Sequence, residues 1–203
     1  MTDNISLQAL YSLLEKNRSY RRFDESARIS REQLEAMAGA ARLTSSGRNI
    51  QALSYRLVHT QEETDRLFPC LAWAGYLKDW EGPAEGERPA AYMVQCLDTA
   101  VSTGCLCDDG LQLEALTLAA VAQGLGCCIL KAFDPARVAD ILGITERYKP
   151  LYVVAIGVPV EKVVIDTLAI GSKECPDASN IRYWREADRT HHVPKRPLED
   201  III

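Results

Sequence analysis

The chain has 203 residues, enough for one large domain or two small ones with a buried core. Hydrophobic residues make up 47% and charged residues 25%, an ordinary globular balance. The net charge of −5 disfavours nucleic acid and anionic membrane as partners, so any anionic ligand must be held by a local cluster of bases.

Met1-Thr2-Asp3-Asn4 is not a basic region followed by an apolar run, so no secretory signal is expected there, and no stretch is long and apolar enough to span a bilayer. Seven cysteines, an odd number, argue against a disulfide framework and for a reducing cytoplasm.

Leu7, Leu10, Tyr11 and Leu14 fall on one helical face, so Ser6 to about Asn17 reads as an amphipathic helix. A basic segment follows, Arg18-Ser19-Tyr20-Arg21-Arg22-Phe23, whose phenylalanine is a core candidate. Ser30 with Gln33 makes a capping box before the stripe Leu34, Met37, Ala38, Ala41. Thr44 to Gln51 is a polar loop, and Tyr55 to His59 a strand. Thr60 with Glu63 opens a helix carrying Leu67, Phe68 and Leu71. Trp73 to Pro89 is irregular; its Trp73, Tyr76 and Trp80 either border a site or a partner subunit, or pack within a surface loop.

Ala90 to Leu97 is a buried-strand candidate. Leu111, Ala115, Leu118, Ala119 and Ala122 mark a long helix of small side chains, ended by Gly124 and Gly126. Cys127 to Leu130 is a short strand; Asp134-Pro135 starts a helix that Gly143 closes. Leu151 to Val158, nearly all apolar, is a central strand, and the last 45 residues show little periodicity. Helices and strands without regular βαβ alternation, and without a Gly-x-Gly-x-x-Gly turn, indicate an α+β domain and not a Rossmann dinucleotide site.

Arg18, Ser19, Arg21 and Arg22 suit a phosphate, because guanidinium groups donate paired hydrogen bonds to two oxygens; a solvated basic surface would look the same. The loop Ser45-Ser46-Gly47-Arg48-Asn49-Ile50-Gln51 carries donors and acceptors that could read the edge of an isoalloxazine ring, or could be only a loop.

In combination these segments resemble the nitroreductase-like family. That family opens with a helix, an Arg-Ser-x-Arg-x-Phe segment and a helix ending in a Ser-x-x-Asn-x-Gln loop. Leu118-Ala119-Ala120, Gly124-Leu125-Gly126-Cys127-Cys128, the block from Leu142-Gly143-Ile144 to Pro159, and Lys195-Arg196-Pro197-Leu198-Glu199-Asp200 resemble later parts, so the similarity runs from about residue 5 to the end.

The resemblance implies one domain over residues 1–203 with a C-terminal arm from about 180, a mixed central sheet flanked by helices, and an intertwined homodimer. It implies FMN at the dimer interface. Arg18, Ser19 and Arg21 would hold its phosphate, completed by Lys195 or Arg196. Ser46, Asn49 and Gln51 would lie beside the ring, and backbone N–H groups of Leu130-Lys131-Ala132 would reach its N5 and O4. The implied activity is electron transfer from NAD(P)H to a small acceptor such as a nitroaromatic or quinone, by a ping-pong cycle, with no catalytic side chain required. The same fold could instead bind flavin without efficient turnover, or serve another flavin chemistry such as dehalogenation or flavin breakdown.

The chain departs from the family pattern at Ser45, where Pro is common, and at Ala132, where Gly is common. Lys131 is unusual beside a flavin: it either points to solvent or places a cation near the ring, favouring its anionic reduced form. Cys105-Leu106-Cys107, Cys127-Cys128 and His191-His192 lack Cys-x-x-Cys spacing, so no metal site is expected. Cys107 with Asp108, Asp109 and a distant histidine has no signature of a cysteine hydrolase.

Overall fold

The computed structural model describes residues 5–168 and 181–203; the Met1–Asn4 segment and Cys175 lie outside them. The chain divides into two compact units, Met1–Trp73 with Glu81–Val160, and Ala74–Trp80 with Glu161–Ile203.

The first unit contains α1 (Leu7–Lys16), β1 (Phe23–Asp24), α2 (Arg31–Arg42), β2 (Leu53–Val58), α3 (Gln61–Leu67), β3 (Ala91–Asp98), α4 (Asp108–Ala122), β4 (Gly126–Leu130), α5 (Pro135–Leu142) and β5 (Tyr148–Pro159). β5 is the spine. β3 pairs along one side of it, with β2 beyond, while β4 and β1 lie end to end along the other. These ladders are antiparallel, and a parallel bridge between Ser19 and Cys127 makes the sheet mixed at its β4 edge.

α2 and α4 cover one face. Leu34, Met37 and Ala41 from α2 meet Leu113, Leu116 and Ala120 from α4 over Met93, Val154 and Ile156. Both capping-box hydrogen bonds at Ser30 and Gln33 are present. α3 packs against α5, and α5 against β5. Two glycines let bulky rings cross the strands: a Cβ at Gly157 would stand 2.8 Å from the Phe23 side chain, and one at Gly126 would stand 2.5 Å from the Tyr20 ring. Phe23 is thereby fully buried, and the basic segment runs flat along the β4 edge, with the Tyr20 N–H donating to the Cys127 carbonyl at 2.9 Å.

Several expectations are corrected. The helix opened by Thr60 ends at Leu67; Pro69 lacks an N–H, and Phe68–Cys70 continue only as a 3₁₀ turn that leaves Leu71 extended. α4 forms where expected but turns another face inward: Gln112, Leu113, Leu116, Thr117 and Ala120 are buried, whereas Leu111 is 44% exposed. Polar residues, Asp108, Asp109, Gln112, Glu114 and Thr117, are spread around α4 and three of them are buried, so periodicity could not choose its inner face. The stripe on α1 forms as well, yet the chain buries no residue of it, and Tyr11 is 50% exposed. β5 starts at Tyr148, earlier than the apolar run, because the β3 ladder continues past the irregularity at Gln95/Cys96.

In the second unit β6 (Val163–Thr167) pairs in parallel with β8 (His191–Lys195), which pairs antiparallel with β7 (Trp184–Arg185). These strands escaped the sequence reading because they are short and interrupted by His, Pro and charge. Glu161, its side chain fully buried, forms an ion pair at 2.9 Å with the part-buried Arg185, and Arg185 also lies over the Trp80 ring. Tyr183 sits between Tyr76 and His191, and Trp184 stacks on His192. Ile201, Ile202 and Ile203 are exposed.

Candidate functional site

The basic segment divides its arginines between two tasks. Arg22 is buried and ion-paired with Glu87, so it belongs to the scaffold. Arg18 is half-buried. One of its terminal nitrogens donates to the Leu14 carbonyl at 2.7 Å, and its buried Nε has no hydrogen-bond partner among the described residues. Arg18 and Ser19 line a cleft of about 100 Å³ with Asn17, Glu114, Thr117, Cys127 and Ile129. Arg21 is buried and donates to the Ser19 carbonyl at 3.2 Å, outside the residues of that cleft.

The polar loop is held by a residue that sequence reasoning assigned to nothing. Asp108, buried at the start of α4, accepts the Ser46 hydroxyl at 2.6 Å and the Gly47 N–H at 2.8 Å. Ser46 Oγ in turn accepts the Gln51 N–H at 2.9 Å. Between these clamps Arg48, Asn49 and Gln51 all have left-handed backbone, with φ of 54°, 56° and 54°. Such conformations are disfavoured for side-chain-bearing residues, and they persist where surrounding contacts fix them. Ser46 and Gln51 line a second cleft, of about 180 Å³, with Arg42, Thr44, Tyr55 and Gln112.

A polar row crosses the α2/α4 face of the sheet. The strand register sets Tyr55 opposite Gln95 and Gln95 opposite Tyr152; Lys131 follows Leu130, the residue opposite Val153. Tyr55 donates to Gln112 at 2.9 Å, and the fully buried Gln95 donates to Tyr55 and to the Asp109 carbonyl. Burial pushes the Tyr55 phenol up to about 12, opposed by the Gln95 hydrogen bond. Lys131 Nζ donates to the Tyr152 hydroxyl at 3.0 Å and lies 4.4 Å from its ring centre. That hydrogen bond raises the Lys131 pKa, as does the charge of nearby Asp109. The Lys131 side chain therefore folds onto Tyr152. One sequence signal pointed here: Gln95 is the polar interruption in the apolar run Ala-Tyr-Met-Val-Gln-Cys-Leu.

At the end of β4 Leu130 is buried, while Lys131 and Ala132 are exposed. The Ala132 carbonyl accepts from the Ala72 N–H, but among the described residues the N–H groups of Lys131 and Ala132 have no acceptor. In the second unit Lys195 is exposed at the end of β8, and Arg196 donates to the Asp200 carbonyl within the tail. Among the described residues no cluster of His, Cys, Asp and Glu could hold a metal ion, and no helix is long and apolar enough to cross a membrane.

The sequence model described as the Nitroreductase family matches residues 107–158, from the start of α4 to the end of β5. A nitroreductase family protein from Streptococcus pneumoniae superposes with a TM-score of 0.62 at 18% identity, over 75% of this chain and 92% of that one. The chain has the nitroreductase-like fold. An FMN-dependent nitroreductase from Clostridium difficile is similar to the same degree: TM-score 0.62, 19% identity, 75% of this chain and 88% of that one. A Staphylococcus epidermidis protein provisionally named an NAD(P)H:FMN oxidoreductase gives 0.60 at 19%, over 79% of this chain and 91% of that one. At these identities the nitroreductase-like similarity is one of fold. No curated protein sequence matches the chain.

Proposed function

We propose that the chain is a cytoplasmic, homodimeric FMN-dependent oxidoreductase that passes electrons from NAD(P)H to a small acceptor such as a nitroaromatic or quinone. The observation that carries this reading is the pair of donor sets tied to one strand. Cys127 in β4 anchors Ser19 and Tyr20 beside Arg18, whose Nε lacks a partner among the described residues. Four residues on, the strand ends at the N–H groups of Lys131 and Ala132. At roughly 3.3 Å per residue the two sets stand about 13 Å apart along the strand. That spacing suits a phosphate at one end of a sugar-alcohol chain and a ring at the other.

On this reading Arg18, Ser19 and Arg21 bind the phosphate, with Lys195 or Arg196 of the tail supplying a further base. The Ser46–Gln51 loop, stiffened by Asp108, presents Asn49 and Gln51 to a ring edge. The N–H groups of Lys131 and Ala132 stabilise negative charge at the ring's N5 side. FMN, when bound, supplies the redox chemistry in a ping-pong cycle, the oxidised nicotinamide leaving before the acceptor enters.

The apolar residues that one subunit leaves outside support the dimer. Leu7, Leu10 and Tyr11 of α1, Leu106 and Leu111 around the start of α4, and, in the second unit, Ile201 to Ile203 are each exposed. A second copy would bury them, at about 1.5–3 kcal/mol for each side chain fully covered. Steady-state kinetics test the activity. Double-reciprocal plots against nicotinamide at several acceptor concentrations should be parallel; intersecting lines, or no oxidation of either nicotinamide, contradict it.

A further inference from the structure

We propose that Lys131 and Tyr152 form a carboxylate-binding subsite, so that the small acceptor of this protein carries an acidic group. The inference rests on the oxidoreductase reading for the word acceptor; the subsite itself rests on the geometry of the two residues. Lys131 is exposed, yet its ammonium is held in place by the Tyr152 hydroxyl at 3.0 Å and by the ring at 4.4 Å. Among the described residues no carboxylate forms an ion pair with it. Asp109 and Cys105 act on it only at longer range, and both favour its charged form.

A fixed cation without a counter-ion, on a chain of net charge −5, is a local reversal of the prevailing field. Holding a lysine in one place sacrifices side-chain freedom, a loss that solvent exposure alone does not require.

The hydrogen-bond inventory fits a carboxylate. The Tyr152 hydroxyl accepts from Lys131 and retains its own proton, which no described group accepts. The ammonium donates once to Tyr152 and keeps two further N–H groups. The pair therefore offers an O–H and an N⁺–H side by side, matching the two oxygens of one carboxylate with charge-assisted bonds. Tyr55, Gln95 and Gln112 continue the polar row but are tied to one another, so the open end of the row is the lysine end.

Benzoate, titrated calorimetrically into the protein as purified, tests the subsite, with the flavin content of each sample measured beside it. Benzoate should bind the parent and bind Lys131→Met at least about tenfold more weakly. Lys131→Arg should stay within a few-fold of the parent, Tyr152→Phe should be intermediate, and neutral benzamide should bind the parent and Lys131→Met alike. Equal benzoate affinity in the parent and Lys131→Met, or no binding to the parent, overturns the proposal. Flavin content separates the two claims. A parent without FMN defeats the oxidoreductase reading, while the benzoate series still decides the fate of Lys131.

Discussion

The Asp108 carboxylate accepts the Ser46 hydroxyl at 2.6 Å across 62 residues of sequence, and so fixes the loop before β2 to the first turn of α4. Its other oxygen takes the Gly47 N–H, tying the loop entrance at a second point. Removing this buried acceptor in Asp108→Ala strands two donors, and each charge-assisted bond of this kind is worth about 1.5–3 kcal/mol. Urea unfolding should show a loss of at least that size, and Ser46→Ala, which removes one of the two bonds, a smaller loss of about 1.5 kcal/mol. Stability unchanged in Asp108→Ala would show that the clamp does not form.

Arg18 and Arg22 sit four residues apart and should respond oppositely. Arg22→Ala breaks a largely buried ion pair with Glu87, which costs up to about 3–5 kcal/mol. Arg18→Ala should leave the unfolding midpoint nearly unchanged and weaken FMN binding by about tenfold or more. Equilibrium dialysis against FMN and urea titration on both variants decide it. If Arg18→Ala destabilises as much as Arg22→Ala and keeps its affinity for FMN, Arg18 is scaffold.

Much of the fold was legible in local pattern. The Ser30–Gln33 capping box, the Asp134-Pro135 helix start and the left-handed Gly143 all stand where the sequence places them. These signals work because the partners lie within a few residues of each other. Asp108 could not be found that way, since its meaning depends on Ser46, and in sequence it read only as a neighbour of Cys107. Tyr152 and Lys131 meet because β4 pairs with β5, a relation no window along the chain contains. α4 shows the complementary limit: the helix is plain, but polar residues spread around it, three of them buried, cannot say which side faces the sheet.

Asp98 supplies the pH dependence. It accepts Arg147 Nε at 2.8 Å and a terminal nitrogen at 2.6 Å, and those hydrogen bonds hold its pKa below the usual aspartate range. A depressed folded-state pKa contributes stability above the unfolded pKa of about 3.9, and that contribution is lost as pH falls through the folded value. The parent should therefore exceed Asp98→Asn in stability by a constant margin from neutrality down to about pH 5, with the margin shrinking below about pH 4. A margin that grows on acidification contradicts the assignment.

The tail offers a test of the dimer. Three exposed terminal isoleucines follow the bases Lys195 and Arg196. Deleting residues 190 to 203 should yield a monomer or an unstable species that fails to hold FMN. Sizing by light scattering together with flavin content reads both; a stable, FMN-loaded dimer rules out the tail as a shared element.

The most direct measurement is the cofactor itself. The purified protein should show the visible absorption band of an oxidised flavin, and the released chromophore should be FMN, one per chain. A colourless protein that takes up no FMN when the cofactor is supplied would contradict the assignment of Arg18, Ser19 and the Lys131–Ala132 strand end to a flavin site.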